Sequence, residues 1–572
     1  MSIADEVERF RARHSIRELT ARDRAFALLD PGSGHELLGP FDRLESPWLE
    51  PQGIVPQADD GVVIVRGTVS GHRAVVAAIE QGFQGGAIGE VSGAKISETL
   101  RLAAAEARDG HPVAAVLLLE TGGVRLQEAN LGLAAVAEIC DAVLVARTRA
   151  PVIAVIAGEV GSFGGVSIAA GLCTEVIMTR EGRLGLNGPA VIEQEAGRAE
   201  FDASDRALVW AVHGGTQRRA QGLADRLIVD DVDELRAAVG AAVTAGAKAA
   251  GSHRSERVDV LAARLAVLDP AAAPTPARTR ELWGERYELP TGAATRATAP
   301  PSPPGPASRG LAWLTRLSGV DTPEVVVTSV RIATTEDAVY LAVVPDPAST
   351  YHRARAGEVG LAECLALART LRGIVAEDAD RPRRRAIVAV VDLPSQAYGR
   401  IEEIAGLHQA IATTVDAYAA ARTAGHPVVA VVVGTALSGG FLTHGLQASR
   451  ILTLDAPGVE IHAMHRPAAA RITRRTIAQL EELGARIAPA SYDVRTWATL
   501  GLCDALLPVA DADHPTDAET AAVTAALLEN IEAARTSGAD LSHRLDTPGA
   551  RLVRAASRHV RDELARQWAS RR

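Results

Sequence analysis

Runs of apolar residues separated by glycine-containing turns recur along the chain and set the pattern of predicted elements. Residues 113–119 and 152–157 are apolar throughout, as are residues 386–391 and 428–433 in the second half. These runs lack the alternation of a strand with one face in water, and they are typical of strands that helices cover on both faces. We therefore predict parallel βαβ units and an α/β fold.

A loose internal repeat relates the two halves of the chain. In each half the first apolar strand leads through a loop into a helical stretch, residues 128–147 and 402–422. The second strand of each half ends in a Gly-Gly pair that opens another helix: Gly164-Gly165 and Gly439-Gly440. Both halves follow the order β–loop–α–β–Gly-loop–α, which predicts two homologous domains.

The boundary between the domains is predicted in a proline-rich interval. Residues 299–306 read APPSPPGP, and proline favours extended, solvated polyproline II conformations. We predict a first domain at 1–250, a Pro/Ala-rich linker at 251–309 and a second domain at 310–572. The part of the linker around Trp283 has an apolar side chain to bury, so a loop packed on one domain is the alternative there.

Composition narrows the class of protein. Apolar residues make up 47% of the 572 positions and charged residues 23%, as in globular enzymes of two or three domains. The net charge of −10 argues against nucleic acid as a partner, because phosphate binding needs a basic face. The four cysteines form no CxxC pair, so no metal site or redox motif is expected. With no signal-peptide pattern and no apolar run of about 20 residues, we expect a cytoplasmic protein without membrane contact.

Glycine pairs between a strand and a helix have a possible chemical use. The N–H groups at the start of the helix point outward, and glycine lets a ligand approach them closely. One such loop could bind a phosphate, whereas two converging loops could hold a single oxygen as an oxyanion hole. The alternative is that these glycines serve only tight turns and close packing. No GxxxxGK[ST] or GxGxxG motif is present, which argues against ATP and NAD.

Several ordered motifs resemble a known superfamily, the carboxyltransferase components of acyl-CoA carboxylases. The β-type motifs are QGGAIGEVSGAKI at 84–96, TGGVRLQE at 121–128, GGVS at 164–167 and GPAVIEQ at 188–194. The α-type motifs are PSQAYGRIEE at 394–403 and LSGG at 437–440. Within this superfamily the chain resembles the β and γ subunits of malonate decarboxylase fused into one chain, over about 17–250 and 310–508.

This resemblance implies a fold and an activity. The fold would be two tandem crotonase-like domains of ββα units, carboxyltransferase β-type and then α-type. The activity would be decarboxylation of a malonyl thioester on an acyl carrier protein, through an enolate held in an oxyanion hole. The carrier protein would supply a phosphopantetheine-like arm derived from dephospho-CoA, and this chain would bind no cofactor of its own. The expected partners are the carrier protein, the α subunit that transfers acyl groups to it, and further copies or subunits in a self-associated or hetero-oligomeric assembly.

The resemblance also assigns candidate residues. The glycines expected to act in catalysis are Gly122, Gly123, Gly164 and Gly165 in the first half and, by internal repeat, Gly439 and Gly440. The residues expected to bind substrate or to donate the proton are Arg125, Gln127, Ser162, Ser395, Gln396, Tyr398 and His462. A bound water is an alternative proton donor. For Arg125 the alternatives are contact with the leaving carboxylate or the arm's phosphates, and a pair with Glu128 one helical turn away.

Two other functions compete with decarboxylation. The same folds transfer the carboxyl group to biotin on a partner protein, and this chain lacks both a Met-Lys-Met biotin site and a four-cysteine zinc element. The second competing function is that of an inert scaffold that positions the carrier protein, although the retained Gly-Gly loops argue against it. The charged C-terminal segment, 551–572, is expected to be an exposed amphipathic helix, either solvated or docked on a partner.

Overall fold

The computed structural model describes residue 8 and residues 13–272, 274–290 and 308–570. It contains two mixed β-sheets covered by helices, which confirms the predicted α/β class. The strands of the first sheet are β1 (His35–Leu37), β2 (Val62–Val69), β3 (His72–Ile79), β4 (Ala114–Leu118), β5 (Val152–Ile156), β6 (Glu175–Thr179) and β7 (Arg226–Ile228). The strands of the second are β8 (Glu324–Val327), β9 (Val330–Thr334), β10 (Ala338–Val343), β11 (Ala386–Leu393), β12 (Val428–Leu437), β13 (Arg450–Asp455), β14 (Glu460–His462) and β15 (Ala505–Pro508).

Helices surround both sheets and fill the space between them. Those up to residue 290 are α1 (Ala21–Leu28), α2 (Glu90–Arg108), α3 (Ala129–Ala146), α4 (Gly165–Leu172), α5 (Pro189–Ala196), α6 (Arg206–His213), α7 (Gly215–Ala220), α8 (Val232–Ala245), α9 (Val258–Val267) and α10 (Pro276–Trp283). The later ones are α11 (Arg309–Ser318), α12 (Leu361–Glu377), α13 (Arg400–Ala405), α14 (Leu407–Thr423), α15 (Ser438–Thr443), α16 (Arg466–Thr473), α17 (Ile477–Arg486), α18 (Val494–Ala498), α19 (Asp517–Arg535), α20 (Pro548–Val553) and α21 (Ala555–Ala569).

The two sheets repeat one topology. In the first, β1, β2 and β3 pair antiparallel, and β3 through β7 pair parallel in chain order. In the second, β8, β9 and β10 pair antiparallel, and β10, β11, β12, β13 and β15 pair parallel, with β14 added beside β12. The predicted apolar runs form the central parallel strands β4, β5, β11 and β12, which are almost fully buried. Because parallel strands end at the same sheet edge, the glycine loops of each half lie together.

The two halves pack on each other through buried polar contacts as well as apolar ones. Helix α4 of the first half lies against α14 of the second, so closely that a Cβ added to Gly171 would lie 2.9 Å from the Cβ of Ala412. Arg422 pairs with Asp141 at 2.8 Å, and both side chains are almost completely buried. A buried ion pair of this kind is costly to separate, because each partner would be left as an uncompensated charge.

The interval between the predicted domains is folded over much of its length. Helices α9 and α10 occupy part of 251–309, and Trp283 is 4% exposed and donates its indole N–H to the Arg264 carbonyl at 3.1 Å. This part is packed rather than extended because its apolar side chains and Trp283 have a surface to cover. The proline tract at 299–306 lies outside the described residues.

The C-terminal helix is amphipathic, as predicted, but one face of it is buried on the first half of the same chain instead of being exposed. Helix α21 packs on α2 of the first half. Arg554, directly before this helix, and Arg561 within it both pair with Glu138, at 2.7 and 2.6 Å, and Trp568 is 1% exposed. The arginines that indicated a solvated face instead neutralise a buried carboxylate of the first half.

One described stretch is long and apolar enough to cross a membrane, which differs from the sequence estimate. It comprises residues 126–146, with mean hydropathy 1.7, and 89% of its apolar window is buried inside the protein. Helix α3, which makes up most of it, packs against α2 and α4 in the core.

Candidate functional site

A cavity of about 370 Å³ lies between the two halves and is lined by loops from both. From the first half come Gln84, Gly85, Ala87, Gly122, Gly123, Val124, Leu126, Gln127, Leu133, Gly164, Gly165, Leu186, Asn187, Gly188 and Val191. From the second come Gln396, Tyr398, Ser438, Gly439, Leu442, Ala463, Met464, Ile472 and Thr473. The size is that of a small-ligand site, and the wall is mostly apolar with a few polar groups.

The glycine loops after β4 and β5 meet at one wall of this cavity. Gly123 has φ +120° and Gly164 has φ +64°, conformations that a side chain disfavours. A Cβ added to Gly164 would lie 2.7 Å from the Cα of Gly123. Glycine is therefore needed at Gly164 by conformation and by close approach, and at Gly123 by conformation.

Most of the glycine N–H groups in these loops are used inside the protein. The bonds are Gly122 N–H to Gly85 O (3.0 Å), Gly123 N–H to Thr121 Oγ1 (3.0 Å) and Gly164 N–H to Leu186 O (2.8 Å). These three glycines shape the loops, but their amides are not available to a ligand.

The amides of Val124 and Gly165 are among those at the cavity wall that have no acceptor among the described residues. Ile88 donates to the Gly123 carbonyl and accepts from Arg125, so the intervening amide of Val124 points to the opposite side, where the other glycine loop lies. Gly165 is the first residue of α4, where an N–H has no partner within the helix. The pair is suited to hold one oxygen carrying negative charge.

The second-half loop faces the same cavity in a different arrangement. The Gly439 N–H donates to Gln396 Oε1 at 2.8 Å, so this amide is also used. Gly440 does not line the cavity, and a Cβ added to it would lie 2.5 Å from the Ser395 carbonyl oxygen. Ser438, at the turn from β12 into α15, has φ +56° and lines the cavity.

A hydrogen-bond chain centred on Glu403 ties the glycine loops of the two halves together. The buried Glu403 carboxylate accepts the N–H groups of Leu186 (3.1 Å) and Asn187 (2.7 Å). The Leu186 carbonyl in turn accepts the Gly164 N–H, and Asn187 Oδ1 accepts Gln396 Nε2 at 2.7 Å. One carboxylate thus fixes both the loop before α4 and the side chain that holds Gly439.

The electrostatics around Glu403 are those of a buried acid with a nearby cation. Burial raises its pKa from 4.5 to about 7, against the opposing effect of Arg218, whose Nη2 lies 3.9 Å from Oε2. His213 Nδ1 is 3.7 Å away, and burial lowers the pKa of that imidazole well below its usual range. The imidazole is therefore neutral, and Arg218 is the cation that faces the carboxylate.

The structure brings only some of the predicted substrate-binding residues to the cavity. Gln127, Gln396 and Tyr398 line it, as do all the predicted glycines except Gly440. Ser162 is fully buried in a backbone bridge, and Ser395 lines an adjoining polar cavity instead. His462 stacks on Tyr492 with ring centroids 3.8 Å apart, behind the wall that Ala463 and Met464 form.

Arg125 forms a buried ion cluster behind the glycine loop and does not reach the cavity. Its Nη1 pairs with Asp60 at 2.6 Å and with Glu128 at 2.9 Å, and it is 1% exposed. The alternative of a pair with Glu128 is therefore what the structure shows. Asp60, 65 positions earlier, completes the cluster.

Replacement of Arg125 by methionine is expected to lower the free energy of unfolding by about 3–5 kcal/mol, because two buried carboxylates lose their cation. The KM of the folded variant should be unchanged. Thermal unfolding and steady-state kinetics measure the two effects, and Arg198→Met, at an exposed ion pair, is the control without a stability change. A raised KM at normal stability would show that Arg125 binds substrate after all.

The sequence alone did not identify four residues of the site: Val124, Asn187, Glu403 and Ser438. All four lie within or beside the quoted motifs, but the motifs do not tell which amides are already bonded. Asn187 and Glu403 are recognised only by their long-range contact, and Ser438 only by its positive φ, and both features require the three-dimensional structure. Among the described residues no group of three or more His, Cys, Asp or Glu is arranged to hold a metal ion.

Models of two protein families match the two halves of the chain. Residues 12–242 match the carboxyl transferase domain, and residues 354–568 match the malonate decarboxylase gamma subunit. A chain with a β-type carboxyltransferase segment followed by this gamma segment is a fused carboxyltransferase-like protein of tandem crotonase-like domains, as predicted.

Individual relatives show the same division. The malonyl-S-ACP:biotin-protein carboxyltransferase MADC of Malonomonas rubra is 43% identical over 232 residues, which are 39% of this chain and 73% of that protein. The corresponding MADD protein of the same organism is 40% identical over 131 residues, 22% of this chain and 45% of that protein. A Pseudomonas malonate decarboxylase hetero-tetramer, solved in complex with malonate, contains a chain with 59% identity and TM-score 0.47, covering 48% of this chain and 99% of that one. The chain belongs to the malonate decarboxylase family of carboxyltransferase-like proteins, with β- and γ-type parts fused.

Proposed function

We propose that this chain decarboxylates a malonyl thioester carried on an acyl carrier protein, giving the acetyl thioester and CO2. The observation that carries the proposal is the pair of unused amides, Val124 and Gly165, at the wall of the cavity between the halves. When the C–C bond to the carboxylate breaks, its electron pair moves into the thioester carbonyl. The two N–H groups would hold the resulting enolate oxygen, and losing one such donor typically costs about 2.7–4 kcal/mol.

The cavity wall supports release of the carboxylate rather than its retention. None of the described residues that line it is Arg, Lys or His, so no cation neutralises the carboxylate of bound substrate. Charge that moves from the carboxylate to the enolate oxygen moves toward the amide donors. Leu133, Leu186, Val191 and Met464 give an apolar surface that fits the alkyl-amide chain of a phosphopantetheine-like arm.

The proposal includes an assembly. Relatives are named as subunits of hetero-oligomers, among them the Pseudomonas decarboxylase hetero-tetramer. By this relationship the chain acts in a cytoplasmic hetero-oligomer with the carrier protein and the α subunit that loads malonyl groups onto it. The carrier's dephospho-CoA-derived arm enters the cavity as part of the substrate. We propose the same domain limits that the sequence predicts: a first domain at 1–250, a linker at 251–309 and a second domain at 310–572.

Carboxyl transfer to biotin is the second candidate, and a specific finding favours it. The relatives MADC and MADD are both named as biotin-protein carboxyltransferases that act on malonyl-S-ACP. The two functions share the enolate and the amide pair, and they differ only in whether the carboxyl group leaves as CO2 or goes to biotin.

The deciding experiment measures CO2 release from malonyl carrier protein, with avidin added, for the wild type and Gly123→Ala. We expect release that avidin does not inhibit, and a loss of about 10²–10³ in kcat for the variant, because a side chain at φ +120° turns the peptide plane that presents the Val124 amide. Gly110→Ala, at φ +88° in an open turn, is the matched control for backbone strain. Activity that requires biotin would favour transfer, and normal turnover in Gly123→Ala would exclude the oxyanion site.

A further inference from the structure

Decarboxylation of a malonyl thioester requires a source of one proton. Loss of CO2 from a malonyl thioester gives an enolate, whose Cα must gain one proton to become the methyl group of the acetyl thioester. In transfer to biotin, the ureido nitrogen that accepts the carboxyl group loses a proton, and this proton balances the enolate. Direct decarboxylation has no such source, so the protein or water must supply it.

One titratable side chain lines the cavity among the described residues, and it belongs to Tyr398 of the second half. The other polar side chains there are amides and aliphatic hydroxyls, which are poor acids. Tyr398 is 8% exposed and lines the same cavity as the amide pair of the first half. An acid supplied by a side chain of the cavity would therefore come from the half opposite the one that carries the oxyanion donors.

The Tyr398 hydroxyl is available to a ligand. It is buried and makes no hydrogen bond of regular geometry with the described residues, although the side chains of Ser438, Gln396 and Ser395 lie near it. A buried hydroxyl without a partner is costly, and a substrate atom placed against it would remove that cost. Burial also raises the pKa of this phenol to about 12, so it holds its proton at neutral pH.

The backbone around Tyr398 is held firmly on both sides. The Ala397 N–H donates to the Val359 carbonyl at 3.0 Å, and the Ala397 carbonyl accepts Asn187 Nδ2 at 2.9 Å. Two residues on, the Arg400 N–H donates to Glu200 Oε1 at 2.8 Å. These bonds fix the ring against the cavity before substrate arrives, as an efficient acid requires.

Tyr398 also reaches a second cavity, which offers a path to solvent. This neighbouring space of about 330 Å³ is lined by polar groups, including Glu195, His352, Arg353 and His465. His465 Nε2 lies 2.5 Å from Glu195 Oε2, and His352 Nε2 lies 3.1 Å from Glu200 Oε2. Tyr398 thus stands between an apolar cavity for the thioester and a polar one for water.

We propose that Tyr398 is the catalytic acid that protonates the enolate, and that the polar cavity resupplies its proton from water. The proposal rests on the proposed decarboxylation. The Cα–carboxylate bond breaks and CO2 leaves; the enolate Cα then takes the phenol proton, giving the acetyl thioester and a phenolate. A water molecule in the polar cavity returns one proton to the phenolate, so the overall step consumes one proton and no oxidant or reductant.

The test compares Tyr398→Phe with wild type in two measurements on malonyl carrier protein: net CO2 release, and incorporation of ¹³C-labelled CO2 into unreacted malonyl thioester. Removal of the acid should lower kcat by roughly 10²–10⁴-fold while KM stays close to wild type. Without the acid the enolate survives longer and can react again with CO2. The amount of labelled malonyl thioester formed per CO2 released should therefore be higher in the variant than in wild type. Tyr351→Phe, at a buried tyrosine of the same half that lines neither cavity, should behave as wild type.

The outcomes are distinguishable. A fall in kcat with no rise in exchange per turnover would mean that Tyr398 only shapes the cavity, and an unchanged kcat would remove it from the mechanism. Circular dichroism and thermal unfolding of Tyr398→Phe establish that the variant is folded. If wild type itself releases no CO2 without biotin, and Tyr398→Phe transfers carboxyl to biotin at the wild-type rate, the proposed function fails along with the acid.

Discussion

Glu403→Ala is expected to lower the free energy of unfolding by about 3–5 kcal/mol, because it removes a buried carboxylate that faces Arg218 and accepts two amides. The N–H groups of Leu186 and Asn187 would lose their acceptor inside the protein. We also expect kcat of the folded fraction to fall by roughly 10²-fold, since the loop that presents the Gly165 amide is no longer fixed. Thermal unfolding and CO2 release measure the two effects separately.

The adjacent Glu402 supplies the matched control. It is 1% exposed, and its carboxyl oxygens accept no hydrogen bond among the described residues. Glu402→Gln should therefore change stability and kcat little, whereas Glu403→Gln should lower both, since an amide offers only one acceptor to two N–H groups. Equal effects of the two substitutions would show that Glu403 is simply another buried acid.

The pH dependence of stability gives an independent check on Glu403. Its pKa is raised by burial from 4.5 to about 7, so between these values the folded state holds a proton that the unfolded state has released. The contribution of this group to the free energy of unfolding therefore falls as pH rises through that window. Glu403→Gln should remove this part of the slope, measured as the difference between wild-type and variant denaturation curves from pH 4.5 to 8.

Local pattern predicted the fold well because buried parallel strands have a local signature. The continuous apolar runs became β4, β5, β11 and β12, and the glycine pairs became the turns beside the cavity. The backbone N–H donors of the oxyanion site were less predictable from the sequence. Whether an amide is free depends on acceptors in other loops, such as the carbonyls of Gly85 and Leu186. The motif supplied the right loop, and tertiary contacts decided which of its amides remain open.

Long-range pairing explains the other differences. Glu403 and Leu186 are 217 positions apart, and nothing near either residue indicates the bond between them. The role of Arg125 could not be decided from the sequence, because only one of its two ion-pair partners, Glu128, is near it in the chain, while Asp60 is not. In the C-terminal helix, the charges that normally indicate solvent instead pair with Glu138 of the other half. Charge pattern alone cannot separate a solvated helix from one that neutralises a buried acid.

Trp568→Ala is expected to destabilise the protein by about 3–5 kcal/mol, among the larger effects of a single core substitution. The ring is 1% exposed, its indole N–H donates to Glu106 Oε2 at 2.7 Å, and the Arg66 guanidinium lies 4.4 Å from its centroid. Its removal leaves a cavity and also takes a donor from a buried carboxylate. Leu552→Ala, at a residue 80% exposed in the same C-terminal segment, is the control without such contacts.

The same substitution reports on how the halves are joined. Helix α21 follows the second sheet in sequence but packs on α2 of the first half, so its burial couples the unfolding of one half to the other. We therefore expect Trp568→Ala to broaden or split the unfolding transition in calorimetry, while Trp568→Phe, which keeps the apolar ring and loses the N–H, retains a single transition at lower temperature. A single sharp transition in Trp568→Ala would place the coupling instead in the buried ion pairs, above all Arg422 with Asp141.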